Sequence, residues 1–170
     1  MAKSSAQISA PSFGSVLDRP SNEIDRVIKP VPQGSYVAMV QGQARMDKSS
    51  KKQTEFAEYT LKLVEALDDV DEKALDEYLT KLDGTKKALA DCTIKATFYY
   101  GTDGGMARLA SFLDHLDGLS PDEAEAVEES TSQRMAEAAG KSCVIHVKHE
   151  PWQSGEGVSA RVDSTSAVES

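Results

Sequence analysis

No stretch of this sequence approaches the roughly 18 consecutive apolar residues that a membrane-spanning helix requires. The opening residues, MAKSSAQISAPSFGS, contain no apolar segment of the kind a secretory signal needs. These two absences lead us to expect a cytosolic protein with no membrane partner. Two cysteines, Cys92 and Cys143, are too few for a disulfide framework and are expected as buried thiols in a reducing compartment. Catalytic signatures are missing as well. The segment GTDGG (101–105) has neither the lysine nor the spacing of a phosphate-binding loop, and there is no G-x-S-x-G and no H-E-x-x-H. DDVDEKALDEYL lacks the central glycine of a calcium loop. His146 and His149 fall on opposite faces of a predicted strand, and His115 has no second ligand at helical spacing. We therefore expect no metal, no cofactor and no enzymatic activity.

What is present is 170 residues, enough for one domain with a real core, at a mean hydropathy of −0.42. Residues 1–34 are rich in Ser and Pro, and Pro11, Pro20, Pro30 and Pro32 exclude a long helix. They read as an extended arm with at most one short helix near 21–28. From 35 to 170 the pattern is that of a folded domain. SYVAMVQGQARM (35–46) reads as a first strand, and TEFAEYTLKLVEA (54–66), with Ala57, Tyr59, Leu61 and Leu63 alternating with Phe56, Glu58, Thr60 and Lys62, as a second. An acidic insertion over 67–91 contains Leu75, Tyr78, Leu79 and Leu82 at helical spacing, closed by Asp83-Gly84. TIKATFYY (93–100) is a third strand. Met106, Leu109, Phe112, Leu113 and Leu116 predict a helix, and the capping box Ser120-Pro121-Asp122-Glu123 opens another that Gly140 closes. KSCVIHVKHEPW (141–152) and GVSARVDSTSAV (157–168) are the fourth and fifth strands. The expected class is mainly β with helices (α+β). Five strands with a helix between the third and fourth is the order of the small OB-like Greek-key barrel used to bind oligonucleotides.

Charge is distributed unevenly. The formal net charge is −9 and the pI about 4.8, yet Arg45, Lys48, Lys51 and Lys52 fall within RMDKSSKK. The predicted strands and hairpin loops hold nine Lys/Arg against five Asp/Glu, about +4, whereas 63–92 and 117–139 carry −5 and −6. The acidic average therefore hides a weakly basic sheet. Lysines neutralise phosphates and exposed rings stack bases, which is what single-stranded nucleic acid requires. If Ala57, Ile94 and Cys143 face inward, strand alternation turns another set outward. That set is Arg45, Phe56, Lys62, Lys95, Tyr99, His146, Lys148 and Arg161, with Lys48, Lys51 and Lys52 at its rim and Trp152 just past a strand end. The same cations also fit a solvated turn, and Phe56 and Tyr99 also fit packing beneath the insertion or the arm.

An LDRP lead, the P-x-G-x-Y entry into the first strand, the K-S-S-K-K loop, TIKATFYY and VIHVKHEP together resemble a family of phage-encoded single-stranded-DNA-binding proteins with an OB-fold. The likeness covers roughly residues 13–165. It implies a single-stranded DNA partner faced by Lys48, Lys51, Lys52 and the sheet aromatics, in phage replication or recombination and in the cytoplasm of the infected host cell. A homo-oligomer is expected, with replication or recombination proteins docking on the acidic segments. The alternative is a virion structural protein (a decoration, tail or adaptor subunit) that uses the N-terminal arm in assembly.

Overall fold

The computed structural model describes residues 17–18, 20–23, 29–151 and 157–168. Six strands form one antiparallel sheet: β1 (Gly34–Val40), β2 (Arg45–Lys48), β3 (Glu55–Ala66), β4 (Thr93–Phe98), β5 (Ser142–Pro151) and β6 (Val158–Ser166). The helices with bounds among the described residues are α1 (Glu72–Leu79), α2 (Asp103–Leu116), α3 (Pro121–Glu125) and α4 (Thr131–Ala136).

The long strand β3 organises the rest. Ala57 and Glu58 pair with β2 on one edge and β4 on the other, while Leu61 and Lys62 pair with β1 and β4. β2 and β1 therefore follow one another along one edge of β3, and β4 runs along the opposite edge. From β1 the sheet continues through β5 to β6. The two ends of this path, β4 and β6, lie beside each other without a ladder between them.

The alternation read from the sequence is the alternation found. Tyr36, Ala38 and Val40 of β1, Ala57 to Leu63 at every second position of β3, Ile94, Ala96 and Phe98 of β4, and Cys143, Ile145 and Val147 of β5 are buried. Helix α2 closes this core with Leu109, Phe112, Leu113 and Leu116. Tyr59, Phe98 and Phe112 meet with centroid separations of 4.9–6.4 Å. Each such ring contributes on the order of 1.5–3 kcal/mol through burial. Burial pushes the Tyr59 hydroxyl up to about 12 and the Cys143 thiol to about 12.

Several elements differ from expectation. The first strand, expected over 35–46, divides at 41–44, where Gly42 adopts φ 77° and turns the chain, so Arg45 sits in a separate strand together with Lys48, which was expected in the loop. The sheet thus has six strands, not five. The single helix expected after the Ser120 capping box is two short ones, because Ser130 side-chain oxygen accepts from Gln133 N and starts a new helix. The insertion helix stops at Leu79, and Thr80 bridges to Lys86 in its place. Of the expected arm, residues 31–33 are tied down: Val31 joins the core, Tyr36 hydroxyl donates to Pro32 O at 2.7 Å, and His149 N donates to Gln33 Oε1 at 2.9 Å. Ser21–Glu23 form a 3-10 turn, and the remainder of the helix expected over 21–28 lies outside the described residues. Among the described residues no helix is long and apolar enough to cross a membrane, and no group of three His, Cys, Asp or Glu could hold a metal ion.

Candidate nucleic-acid interface

The β2–β3 hairpin is stiffened from within. Ser49 N donates to Thr54 O at 2.9 Å, Thr54 N donates to Ser49 Oγ at 3.1 Å, and Gln53 accepts a left-handed backbone (φ 56°) while its amide donates to Ser50 O. This turn projects Lys51 and Lys52 into solvent, with Lys48 at the end of β2. Lys48, Lys51 and Lys52 have no ion pair among the described residues.

A groove of about 510 Å³ runs between this turn and the β4–α2 connection, lined by Lys51, Lys52, Tyr99 and Thr102. The connection is held close. Gly101 N donates to Glu55 O, while Thr102 Oγ1 accepts from Gly105 N and donates to Tyr99 O, both at 3.0 Å. Gly105 is required here, since a Cβ at that position would lie 1.8 Å from Tyr99 O.

Tyr99 is 42% exposed and rests edge-on against Phe56, with centroids 5.7 Å apart. Phe56 was expected outside. It does lie on the outward side of β3, yet it is only 8% exposed, because Tyr99 covers it on one side and the Arg45 guanidinium, 5.0 Å from its centroid, on another. Phe56 therefore backs the exposed ring instead of presenting one.

The cations of the sheet are less free than the sequence suggests. Arg45 bridges Asp47 at 3.0 Å and Glu58 at 3.3 Å, and Lys95 reaches the same Glu58 oxygen at 3.5 Å. Burial alone would raise the Glu58 carboxyl; the Arg45 hydrogen bond and the Arg45 and Lys95 charges outweigh it and hold the group below the usual carboxylate range. Arg161 pairs with Glu150 at 3.1 Å and Lys148 with Asp163 at 3.3 Å. Lys62 stands on the outward side of β3 between Met39 and Thr93, with no ion pair among the described residues.

Two expected members belong elsewhere. His146 is not a free outward group: its Nδ1 lies 2.8 Å from Ser35 Oγ and its Nε2 3.2 Å from Ser166 Oγ. Ser35 Oγ donates to Asp69 Oδ2 at 2.7 Å, which leaves His146 Nδ1 as the donor to Ser35. His146 and Lys148 line a separate concavity with Asp69 and Asp163, away from the hairpin groove. Trp152 lies outside the described residues.

The acidic segments also separate. The insertion docks on the far end of β3: Leu67 N donates to Ser35 O, Val70 packs on Gly34, and Ser35 N donates to Asp69 Oδ1 at 2.8 Å. The second segment folds back on α2, where Arg134 bridges Asp114 and Asp117 and Lys141 meets Asp117. Helix α4 reaches β2 on the side of Met46, opposite the Arg45–Phe56 side.

Reasoning from the sequence missed Arg108. It sits on α2, in a stretch read only for its apolar stripe, yet its guanidinium donates to Val162 O at 3.2 Å and lies 5.4 Å from the Phe98 centroid. No protein-family model and no curated protein matches this chain, so the argument for function rests on the site itself.

Proposed function

We propose that this protein binds single-stranded DNA without catalysis, serving phage replication or recombination, and that its sheet is an OB-like Greek-key barrel. Counting β1 and β2 as one broken strand leaves five strands with α2–α4 between the third and fourth, and β4 neighbouring β6 at the ends of the path. The observation that carries the reading is the groove in which Lys51 and Lys52, unpaired among the described residues, stand beside the exposed, Phe56-backed ring of Tyr99. A base stacked on Tyr99 would contribute about 1–3 kcal/mol, and the lysines would take the adjoining phosphates.

The test is fluorescence anisotropy of labelled oligo-dT with wild type and Tyr99→Ala. Wild type is expected to bind at micromolar concentration or tighter, with a log–log salt slope at least as steep as about −2, for the three phosphates that Lys48, Lys51 and Lys52 neutralise. Tyr99→Ala is expected to weaken binding about tenfold. Unchanged anisotropy at low salt with excess protein overturns the proposal.

A further inference from the structure

We propose that the seam between β4 and β6 is a second backbone-binding segment for the same strand, continuous with the hairpin groove through Tyr99. This inference rests on the single-strand reading above. A cavity of about 400 Å³ lies along the seam, bordered by Lys95, Tyr99, Arg108, Arg161 and Glu150. Tyr99 borders both cavities, so a strand leaving the lysine groove passes its ring and enters the seam directly.

The chemistry of the seam suits phosphodiesters. Three cations face one carboxylate. Arg108 has no acidic partner among the described residues: its hydrogen bond goes to a neutral carbonyl, Val162 O, which leaves its charge uncompensated. Arg161 and its partner Glu150 are 55% and 57% exposed, and a solvated pair of this kind contributes little, while Lys95, 61% exposed, shares Glu58 with Arg45. An arriving phosphate can therefore replace Glu150 at Arg161 at small cost, and at Lys95 it joins a side chain whose Glu58 partner stays paired with Arg45. Among the described residues the strands that flank the seam pair only on their far sides, β4 with β3 and β6 with β5. Lys95 and Tyr99 are separated by four residues of extended chain, about 13 Å. At about 3.4 Å per stacked nucleotide that distance spans roughly four steps.

The geometry thus assigns two lengths to the site: a short oligonucleotide fills the hairpin groove, and a longer one also occupies the seam. The test compares a four- and a twelve-nucleotide oligo-dT on the full chain, with the four-mer read by competition. For Lys95→Gln/Arg161→Gln, whose side chains are exposed, folding is checked by circular dichroism. The double variant is expected to lose about tenfold in affinity for the twelve-mer, with a salt slope shallower by about 1.4 for two lost phosphate contacts, and to compete with the four-mer as wild type does. Arg108→Lys, which keeps the charge but not the planar fork, is expected to lose less than Arg108→Gln on the twelve-mer. Twelve-mer affinity and slope equal to wild type in the double variant overturn the seam while leaving the hairpin groove standing. Equal losses on both lengths also overturn it. A wild type that binds neither length overturns the single-strand reading itself.

Discussion

The two ends of β3 are built on opposite electrostatic plans. At its start, the hairpin carries Lys48, Lys51 and Lys52 with no ion pair among the described residues and leaves them to solvent. At its finish, about 35 Å of extended chain away, the acidic insertion is latched onto the sheet. Asp69 accepts from both the backbone and the hydroxyl of Ser35, and Val70 fits so closely on Gly34 that a Cβ there would lie 2.6 Å from its methyl. One end spends its polar groups on holding the fold; the other keeps its charges in reserve. A net charge of −9 says nothing of this division, because it sums two regions whose charges do different things.

The comparison breaks most visibly at the lysine end. Lys48→Glu/Lys51→Glu/Lys52→Glu is expected to weaken oligo-dT binding about a hundredfold, close to 2.8 kcal/mol at about 1.4 kcal/mol per tenfold. The urea midpoint should stay at the wild-type value, since none of the three side chains makes an ion pair among the described residues. A loss of stability equal to the loss of binding would mean that the hairpin is structural after all.

At the insertion end the expected result is reversed. Asp69→Ala removes two acceptor contacts to Ser35 and is expected to cost about 1 kcal/mol at neutral pH, the group being largely solvated. Oligo-dT affinity should not change. The Ser35 hydrogen bonds hold the Asp69 carboxyl below its usual range. Its contribution is therefore complete above the unfolded value of about 3.9 and disappears as pH falls through the lower folded value. The gap in urea midpoint between wild type and Asp69→Ala should accordingly close on strong acidification. A gap that persists unchanged at the lowest pH would remove Asp69 ionisation from the account of the latch.

The difference in what the sequence discloses follows the same division. Inward positions were legible because strand alternation is local: Tyr59, Leu61 and Leu63 announce their side of β3 within a few residues. The burial of Phe56 was not, since it depends on Arg45 from β2 and Tyr99 from the end of β4 converging on one ring. The pairing of Lys95, Arg161 and Lys148 with acids depends on strand register, which composition does not encode. Lys148 and Asp163, for example, meet only because β5 and β6 align Lys148 opposite Arg161. Arg108 was invisible for a related reason: a cation on a helix reads as a solvated face until the helix is laid across the gap between β4 and β6.

Glu58 sharpens the comparison most finely, because it is less exposed than Asp47 or Glu150, the other carboxylates paired with the sheet arginines. Its side chain is 18% exposed and its Oε1 is shared by Arg45 and Lys95. In the free protein it occupies the place of a phosphate: an anion held between two cations on the outward side of the sheet. On the single-strand reading proposed above, nucleic acid must displace it or route around it. Glu58→Gln keeps the volume and removes the charge, leaving Arg45 with Asp47 and Lys95 with no ion pair. The variant is expected to bind oligo-dT about threefold more tightly, some 0.65 kcal/mol, because the strand no longer competes with Glu58 for Lys95. Weaker binding would give Glu58 the opposite role, that of a strut aiming Arg45 and Lys95 at the strand, and the region around it would then be organised like the insertion end, with its charges committed to structure.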